Sequence, residues 1–344
     1  MHPRPAFRVS LLALAALSCG GGLRVANIAS SAEKPANVMV YLSVDAEKVP
    51  VPHLGDEAFK VFEDGAPVTA DLRIVNPDMT ATQFTVLLLD WSGHVTPADA
   101  AAMTDGAAAL MSKLRPKQKV AVYAFDGSAD LHPVVAFSAP DDRAKGNLDA
   151  LKDYKPRDET SNLNGAVAAG MKALRGALGE SDPMTGGQLV VVARGSDRAA
   201  RLKREQLAEL FKAPEASKIR RFVVGAGEEA KLAQLEYIGT NDTINVPNVG
   251  GLASALDGLG VRLASFAQSN YFVSYCSGAR AGQHELRVDV TRKIKTDKGG
   301  EVEQTGTLTT KFNADGFGGG CKPKIPQEFE ALIPKDAPDA STKP

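Results

Sequence analysis

Leu87-Leu88-Leu89-Asp90-Trp91-Ser92-Gly93-His94 is the stretch that decides the fold. An apolar run without alternation reads as a strand covered on both faces, the habit of a parallel sheet. It breaks off into a carboxylate, a hydroxyl two places on, and a glycine. In open α/β sheets, polar groups delivered past the carboxyl end of a strand line the ligand crevice. The expected fold class is therefore α/β, with Asp90 and Ser92 at its functional edge.

The neighbouring sequence keeps that rhythm. Thr96-Pro97-Ala98-Asp99 is a helix start, with a hydroxyl cap, a proline in the first turn and a carboxylate at the positive end. Met103, Ala107, Leu110, Met111 and Leu114 follow at helical spacing, and Pro116 lies just beyond. Val120 to Phe125 reads as a strand, and Leu163, Val167, Met171 and Leu174 as a second helical stripe. Leu189 to Ala193 and Phe222 to Gly225 are further buried strands. Leu252, Leu256, Leu259, Leu263 and Phe266 give a last amphipathic helix. Short strands alternating with helices predict a doubly wound, mainly parallel sheet.

On both sides of this region the period falls to two. Val38, Val40, Leu42 and Val44 alternate with other residues, Phe59-Lys60-Val61-Phe62 runs into an Asp64-Gly65 turn, and Leu72 to Val75 is short. Beyond the last helix, Tyr271 to Tyr275, Leu286 to Val290 and Leu308 to Thr310 have the same character. The two flanks are expected to pack as one β-sandwich-like unit, split by the α/β insertion. The expected segments are a leader over 1–19, a tether over 20–36, an N-terminal β segment over 37–80, the α/β domain over 84–267, a C-terminal β segment over 269–321 packing with 37–80, and a disordered tail over 322–344.

The chain has 344 residues and a formal charge of -1, which gives no argument for a nucleic-acid partner. Arg4 and Arg8 precede the apolar run Val9 to Leu17, too short to span a bilayer as a mature helix. Ser18-Cys19-Gly20 follows and resembles the lipobox of bacterial lipoproteins, with Ala16 where leucine is usual. The resemblance implies lipidation of Cys19 and a lipid-anchored place in the cell envelope. Gly20 points to the outer membrane, facing periplasm or exterior; plain secretion is the alternative. With Cys19 taken by lipid, Cys276 and Cys321 remain as a pair for an oxidising compartment. A bridge there would contribute on the order of 3–4 kcal/mol, and two free thiols are the alternative.

The order of these motifs resembles that of bacterial exported proteins with a von Willebrand factor type A domain. The likeness is carried by Phe59-Lys60-Val61-Phe62-Glu63-Asp64-Gly65, by Leu114-Arg115-Pro116 before Lys119-Val120-Ala121-Val122, and by Tyr271 to Tyr275 with His284 to Val290. It spans about residues 37 to 315. Such domains hold Mg²⁺ in three loops, through two serines, a threonine and water-bridged aspartates. Here Asp90 and Ser92 match the Asp-x-Ser-x-Ser loop, and His94 stands at its second serine. Ser161-Asn162-Leu163 matches Thr-Asn-Leu, with Thr160 as the alternative hydroxyl. Ala193-Arg194-Gly195-Ser196-Asp197 lies where Thr-Asp-Gly-x-Asp is usual, so Arg194 replaces the aspartate. The candidate metal residues are thus Asp90, Ser92 and Ser161, in a site degraded through His94 and Arg194.

A guanidinium at that place opposes a cation. Two unit charges about 5 Å apart at an effective dielectric near 20 repel by roughly 3 kcal/mol, and a divalent ion doubles this. Arg194 is expected to pair internally with Asp90 or Asp197; the alternative turns Asp197 inward and Arg194 outward. One histidine and one carboxylate fall short of a Zn²⁺ set.

Hydrolase chemistry has weak support, because a nucleophile elbow needs glycine two places before Ser92, where Asp90 stands. His132 and His284 lie in strand-like contexts. Gly225-x-Gly227 lacks the third glycine of a nucleotide turn, and Glu228-Glu229 would repel phosphate. Arg198, Arg201, Lys203, Arg204, Arg220 and Arg221 form a basic cluster in sequence. Trp91, the single tryptophan, either packs beneath its loop or anchors an interface. The expected function is non-enzymatic and needs no cofactor: binding a protein or envelope component through Trp91, His94 and Arg194. A Mg²⁺-dependent adhesion or sensing module and a structural envelope scaffold are the alternatives.

Overall fold

Two stretches far apart in sequence build one β unit, and an α/β unit is threaded between them. The computed structural model describes residues 22–75, 82–115, 117–178, 185–213, 216, 218–296 and 299–324. In chain order, β1 (Leu23–Glu33), β2 (Asn37–Ala46), β3 (Val49–Pro50), β4 (Phe59–Glu63), β5 (Ala66–Pro67) and β6 (Leu72–Val75) come first. The α/β unit follows as β7 (Gln83–Asp90), α1 (Pro97–Lys113), β8 (Gln118–Phe125), β9 (His132–Ser138), α2 (Asp142–Gly146), α3 (Leu163–Leu178), β10 (Gly186–Ala193), α4 (Arg204–Lys212), β11 (Ile219–Ala226), α5 (Glu228–Leu232), β12 (Asp242–Val246) and α6 (Leu252–Gln268). Then come β13 (Asn270–Cys276), β14 (Gln283–Lys295) and β15 (Glu301–Asn313).

The central sheet runs β12-β11-β10-β7-β8-β9, parallel throughout except for the β8–β9 edge pair. From β7 the chain builds outward through β8 and β9, then crosses over to lay down β10, β11 and β12 on the other side. The carboxyl end of β7 is therefore the switch point, where α/β sheets open a crevice. The period-two pleat sorts the apolar run of β7 between two layers. Leu87, Leu89 and Trp91 join the core under α1 and α6, whereas Val86 and Leu88 join the core under α3. Asp90 continues the second set and so faces the start of α3. The fold is α/β, a doubly wound and mainly parallel sheet set into a β-sandwich-like unit.

That sandwich packs the β1-β2-β13-β6 sheet, with β3 beside β2, on the β15-β14-β4-β5 sheet. Val38, Val40, Leu42 and Val44 meet Phe59, Val61, Leu286, Val288 and Val290 in its core. The other face of β2 is covered too: Met39 and Tyr41 pack with Phe272 in a second, smaller cluster. Strand β2 is thus buried on both faces, although its sequence reads as half-buried.

The tether expected over 20–36 is instead occupied by β1, antiparallel to β2 over its whole length. Its alternation is hidden by a register shift between Asn27 and Ala29, which inserts Ile28 as an unpaired residue. Before the bulge Leu23 and Val25 face the sandwich core; after it Ala32 does, and Ala29 turns to the Phe272 side. One inserted residue exchanges the two faces, so no single period runs through the segment.

Cys276 and Cys321 are joined by a disulfide, with Cα atoms 5.8 Å apart. The chain after β15 folds back over the sandwich: Ala314 and Phe317 are buried, and Lys324 pairs with Glu33. Residues 322–324 are accordingly ordered against β1 and β13, where Ser274 Oγ donates to the Lys324 carbonyl at 2.8 Å. The rest of the expected tail, 325–344, and the leader with Cys19 lie outside the described residues. No helix among the described residues is long and apolar enough to cross a membrane.

Candidate functional site at the carboxyl edge of the parallel sheet

Three loops meet above β7. Asp90 is fully buried and accepts hydrogen bonds from the Ser92 backbone N–H at 3.1 Å, the Arg194 backbone N–H at 3.0 Å and Ser161 Oγ at 3.4 Å. Asp90, Ser92 and Ser161 therefore come together as the sequence places them. Burial pushes the Asp90 carboxyl above its ordinary range, and the hydrogen bonds from Ser92 and Arg194 pull the other way. Gly93 adopts a φ of +64°, a left-handed conformation that its lack of a Cβ makes cheap, and its N–H donates to the Glu159 carbonyl. This bond ties the first loop to the second.

Ser161, rather than Thr160, is the second-loop hydroxyl at the site. Thr160 Oγ1 is turned away to Asp158 Oδ1, at 2.7 Å. The Ser161 carbonyl accepts from the Arg198 and Ala199 backbone N–H groups, which fastens the second loop to the third. Asn162 is buried as well. Its N–H donates to the Asp126 carbonyl and its Nδ2 to the Ser128 carbonyl, while its Oδ1 is left without a partner.

The guanidinium of Arg194 pairs with neither Asp90 nor Asp197. Nη1 donates to the Ser92 carbonyl at 2.8 Å and Nη2 to the His94 carbonyl at 3.1 Å, with Asp99 Oδ2 at 3.9 Å. Strand alternation supplies the reason. Val192 lies on the α1 side and Ala193 on the α3 side, so position 194 returns to the α1 side. There the side chain crosses the first loop and ends near Asp99, whose carboxylate also accepts the Thr96 N–H in the capping box of α1. Only the backbone of Arg194 touches Asp90. Asp197 instead accepts from the N–H of Asn164 at 3.2 Å and from its Nδ2 at 3.1 Å. Burial raises the Asp197 carboxyl, against the bonds from Asn164.

Trp91 is not an exposed anchor. It is 1% exposed, its N–H donates to the Phe125 carbonyl as an extension of the β7–β8 ladder, and its ring meets Tyr154 edge-on. The alternation of Leu87, Leu89 and Trp91 explains its burial. His94 is exposed and Arg194 partly so, and these two remain as surface groups of the site.

One organising residue escaped the sequence reading. Asp126, at the end of β8, is buried and accepts from the Ser128 N–H, Ser128 Oγ, the Arg157 N–H and Tyr154 OH. Burial pushes its carboxyl up, but the four donors together hold it below the ordinary carboxylate range. They fix the loop that carries Ser161. The signal was present: Phe125-Asp126-Gly127-Ser128 repeats the order of Leu89-Asp90-Trp91-Ser92, an apolar strand end, a carboxylate and a serine two places on. In both, the aspartate caps the serine's backbone N–H.

The basic cluster disperses in three dimensions. Arg198 pairs with Glu229, Arg201 reaches the Gly127 carbonyl and Asp158, Arg204 covers the Tyr237 ring and Arg221 the Phe211 ring. Arg220 lies at the opposite edge of the sheet. His132 stacks on Tyr154, and His284 bonds to Asp64 in the β-sandwich. Among the described residues, no three His, Cys, Asp or Glu side chains group as a metal set.

The α/β unit is thus a doubly wound, mainly parallel sheet with three loops gathered at the carboxyl end of β7. No family model matches the sequence, and no curated protein matches it either. Among solved structures, the chain is similar to a von Willebrand factor type A protein from Catenulispora acidiphila, with 11% identity and a TM-score of 0.47 over 83% of this chain and 72% of that one. Proximal thread matrix protein 1 from the mussel byssus gives 16% identity and a TM-score of 0.44, over 54% of this chain and 48% of that one. The manganese-loaded TRAP protein of Plasmodium vivax gives 11% identity and a TM-score of 0.44, over 71% and 97%.

Proposed function

We propose that this chain is a non-enzymatic binding module of the cell envelope, held by lipid on Cys19 at the outer membrane. It engages a protein or envelope component at the carboxyl edge of its parallel sheet, without a divalent cation. The observation that carries the cation-free reading is the guanidinium of Arg194, which bridges the Ser92 and His94 carbonyls across the first loop. A resident Mg²⁺ needs hard oxygen ligands in a near-octahedral set. The residues here supply Asp90 and two serine hydroxyls, with Asp197 committed to Asn164 and a fixed positive charge laid over the loop. That set does not fit the ion. The face left to a partner is rigid, because all three loops are bonded to one another, and it offers the exposed His94 beside Arg194.

Immobilised full-length protein should retain one envelope component in chelator as strongly as in Mg²⁺. His94→Asp, which places a carboxylate on the exposed rim, should abolish that retention while leaving the circular dichroism unchanged. Retention that requires Mg²⁺ would point to the metal-dependent alternative, and no retention to a scaffold. The anchor has its own test. Mass spectrometry of the mature protein should find an acylated Cys19 as the first residue, and an unmodified terminus elsewhere in the chain overturns it.

A further inference from the structure

A cavity lies at the opposite end of the sheet from Asp90. It has a volume of about 450 Å³ and opens between the amino-terminal ends of β7, β10 and β11 and the outer face of the β1-β2-β13 sheet. Its charge is lopsided. Arg24, Lys48, Lys218 and Arg220 line it with Asp45 as the single carboxylate, and none of the four cations makes an ion pair among the described residues. Arg220 is held in place by Phe266, whose ring lies 4.3 Å beneath the guanidinium. Burial lowers the Arg220 pKa, with Arg24 acting in the same direction and Tyr41 and Asp45 against it. A half-buried guanidinium that shares one carboxylate with three other cations is left short of counter-charge.

Two buried amides border the same space. Gln83 is 2% exposed and Asn270 3%, yet Gln83 Oε1 and Asn270 Oδ1 have no hydrogen-bond partner. Asn270 is fixed through its other end, where Nδ2 donates to Tyr41 OH at 2.9 Å. At 186 the wall is glycine, and a Cβ there would come within 2.4 Å of Gln83 Oε1. Both oxygens are closed off from solvent, so these amides belong to the fixed wall of the cavity. The cavity thus lacks anions to match its guanidinium and ammonium groups, with Asp45 alone against four cations.

We propose that this cavity is a binding site for a phosphate ester, with Arg220 and its neighbouring cations on the phosphate. Guanidinium groups suit phosphate oxygens, and the volume lies in the range of small-molecule sites. The site is independent of the carboxyl-edge reading, being formed by other residues at the other edge of the sheet. A free phosphate monoester and the head of a phosphoglycerol lipid present this same chemistry.

Calorimetric titration of the full chain with glycerol 3-phosphate and with glycerophosphoglycerol tests it. At least one should bind saturably with a Kd below about 1 mM. Preference for the monoester identifies a free metabolite as the source, and preference for the diester a lipid headgroup. Arg220→Gln should weaken binding by about tenfold or more. Arg24→Gln with Lys218→Gln, both at exposed positions, should weaken it without touching the Phe266 stack, which keeps the test valid if Arg220→Gln misfolds. Absence of binding for both probes at about 10 mM overturns the proposal. So does a Kd left unchanged by the Arg24 and Lys218 pair.

Discussion

Cys276→Ser combined with Cys321→Ser should lower the stability of the chain by about 3–4 kcal/mol, the largest loss expected from any change outside a packed core. The bridge joins residues 45 apart in sequence, so cutting it releases a long loop in the unfolded ensemble. In the native state it closes the end of β13 onto the segment that returns over the sandwich. That segment has other attachments: buried Ala314 and Phe317, the Lys324–Glu33 pair, and the Gly318 N–H donating to the Pro35 carbonyl. These attachments should keep the native fold of the variant close to that of the wild type, so the loss is read in the unfolding midpoint. Urea unfolding followed by circular dichroism measures it. Trp91 lies in the α/β core, so its fluorescence reports that unit alone. A fluorescence midpoint that moves as far as the dichroism midpoint means that the two units unfold together. A stability change under about 1 kcal/mol would mean that the return segment, rather than the bridge, holds the sandwich closed.

The parts of the molecule legible in the sequence are those where one period runs unbroken. The strands β7, β10 and β11 and the stripes of α1, α3 and α6 satisfy this, and the parallel sheet follows from them. Strand β1 does not, because the bulge at Ile28 exchanges its faces midway and its buried positions include Ser31. Burial of Trp91 was readable from Leu87 and Leu89, since the same alternation carries it under α1. An aromatic residue in a loop draws the eye to the surface instead. At the site, the three loops and their hydroxyls could be placed from sequence, whereas the partner of Arg194 could not. Whether a guanidinium reaches Asp90, Asp197 or a carbonyl depends on which face of the sheet position 194 continues, a matter of one residue in register. Asp126 went unnoticed because it supports the site from below, through bonds to Ser128, Tyr154 and Arg157.

Arg194→Asp combined with His94→Ser should convert the carboxyl edge into a Mg²⁺ site. The wild type should show no saturable Mg²⁺ binding, and the double variant should bind in the micromolar to millimolar range. Three changes act together. Removing the guanidinium frees the Ser92 and His94 carbonyls and takes away a repulsion of several kcal/mol toward a divalent ion. The new carboxylate adds hard negative oxygens, and serine at 94 offers a hydroxyl in the same loop as Ser92. The backbone N–H of residue 194 would still bond to Asp90, so the loop geometry that presents Asp90, Ser92 and Ser161 is kept. Each single variant separates the effects. Arg194→Asp alone should bind weakly, because it restores the charge, whereas His94→Ser alone should bind nothing, because the guanidinium remains across the loop. Calorimetric titration with Mg²⁺ distinguishes the four proteins. Micromolar affinity in the wild type would falsify the closed-site reading. A folded double variant that ignores Mg²⁺ would show instead that the fixed partners of Asp197 and Thr160 hold the loops outside a cation's reach.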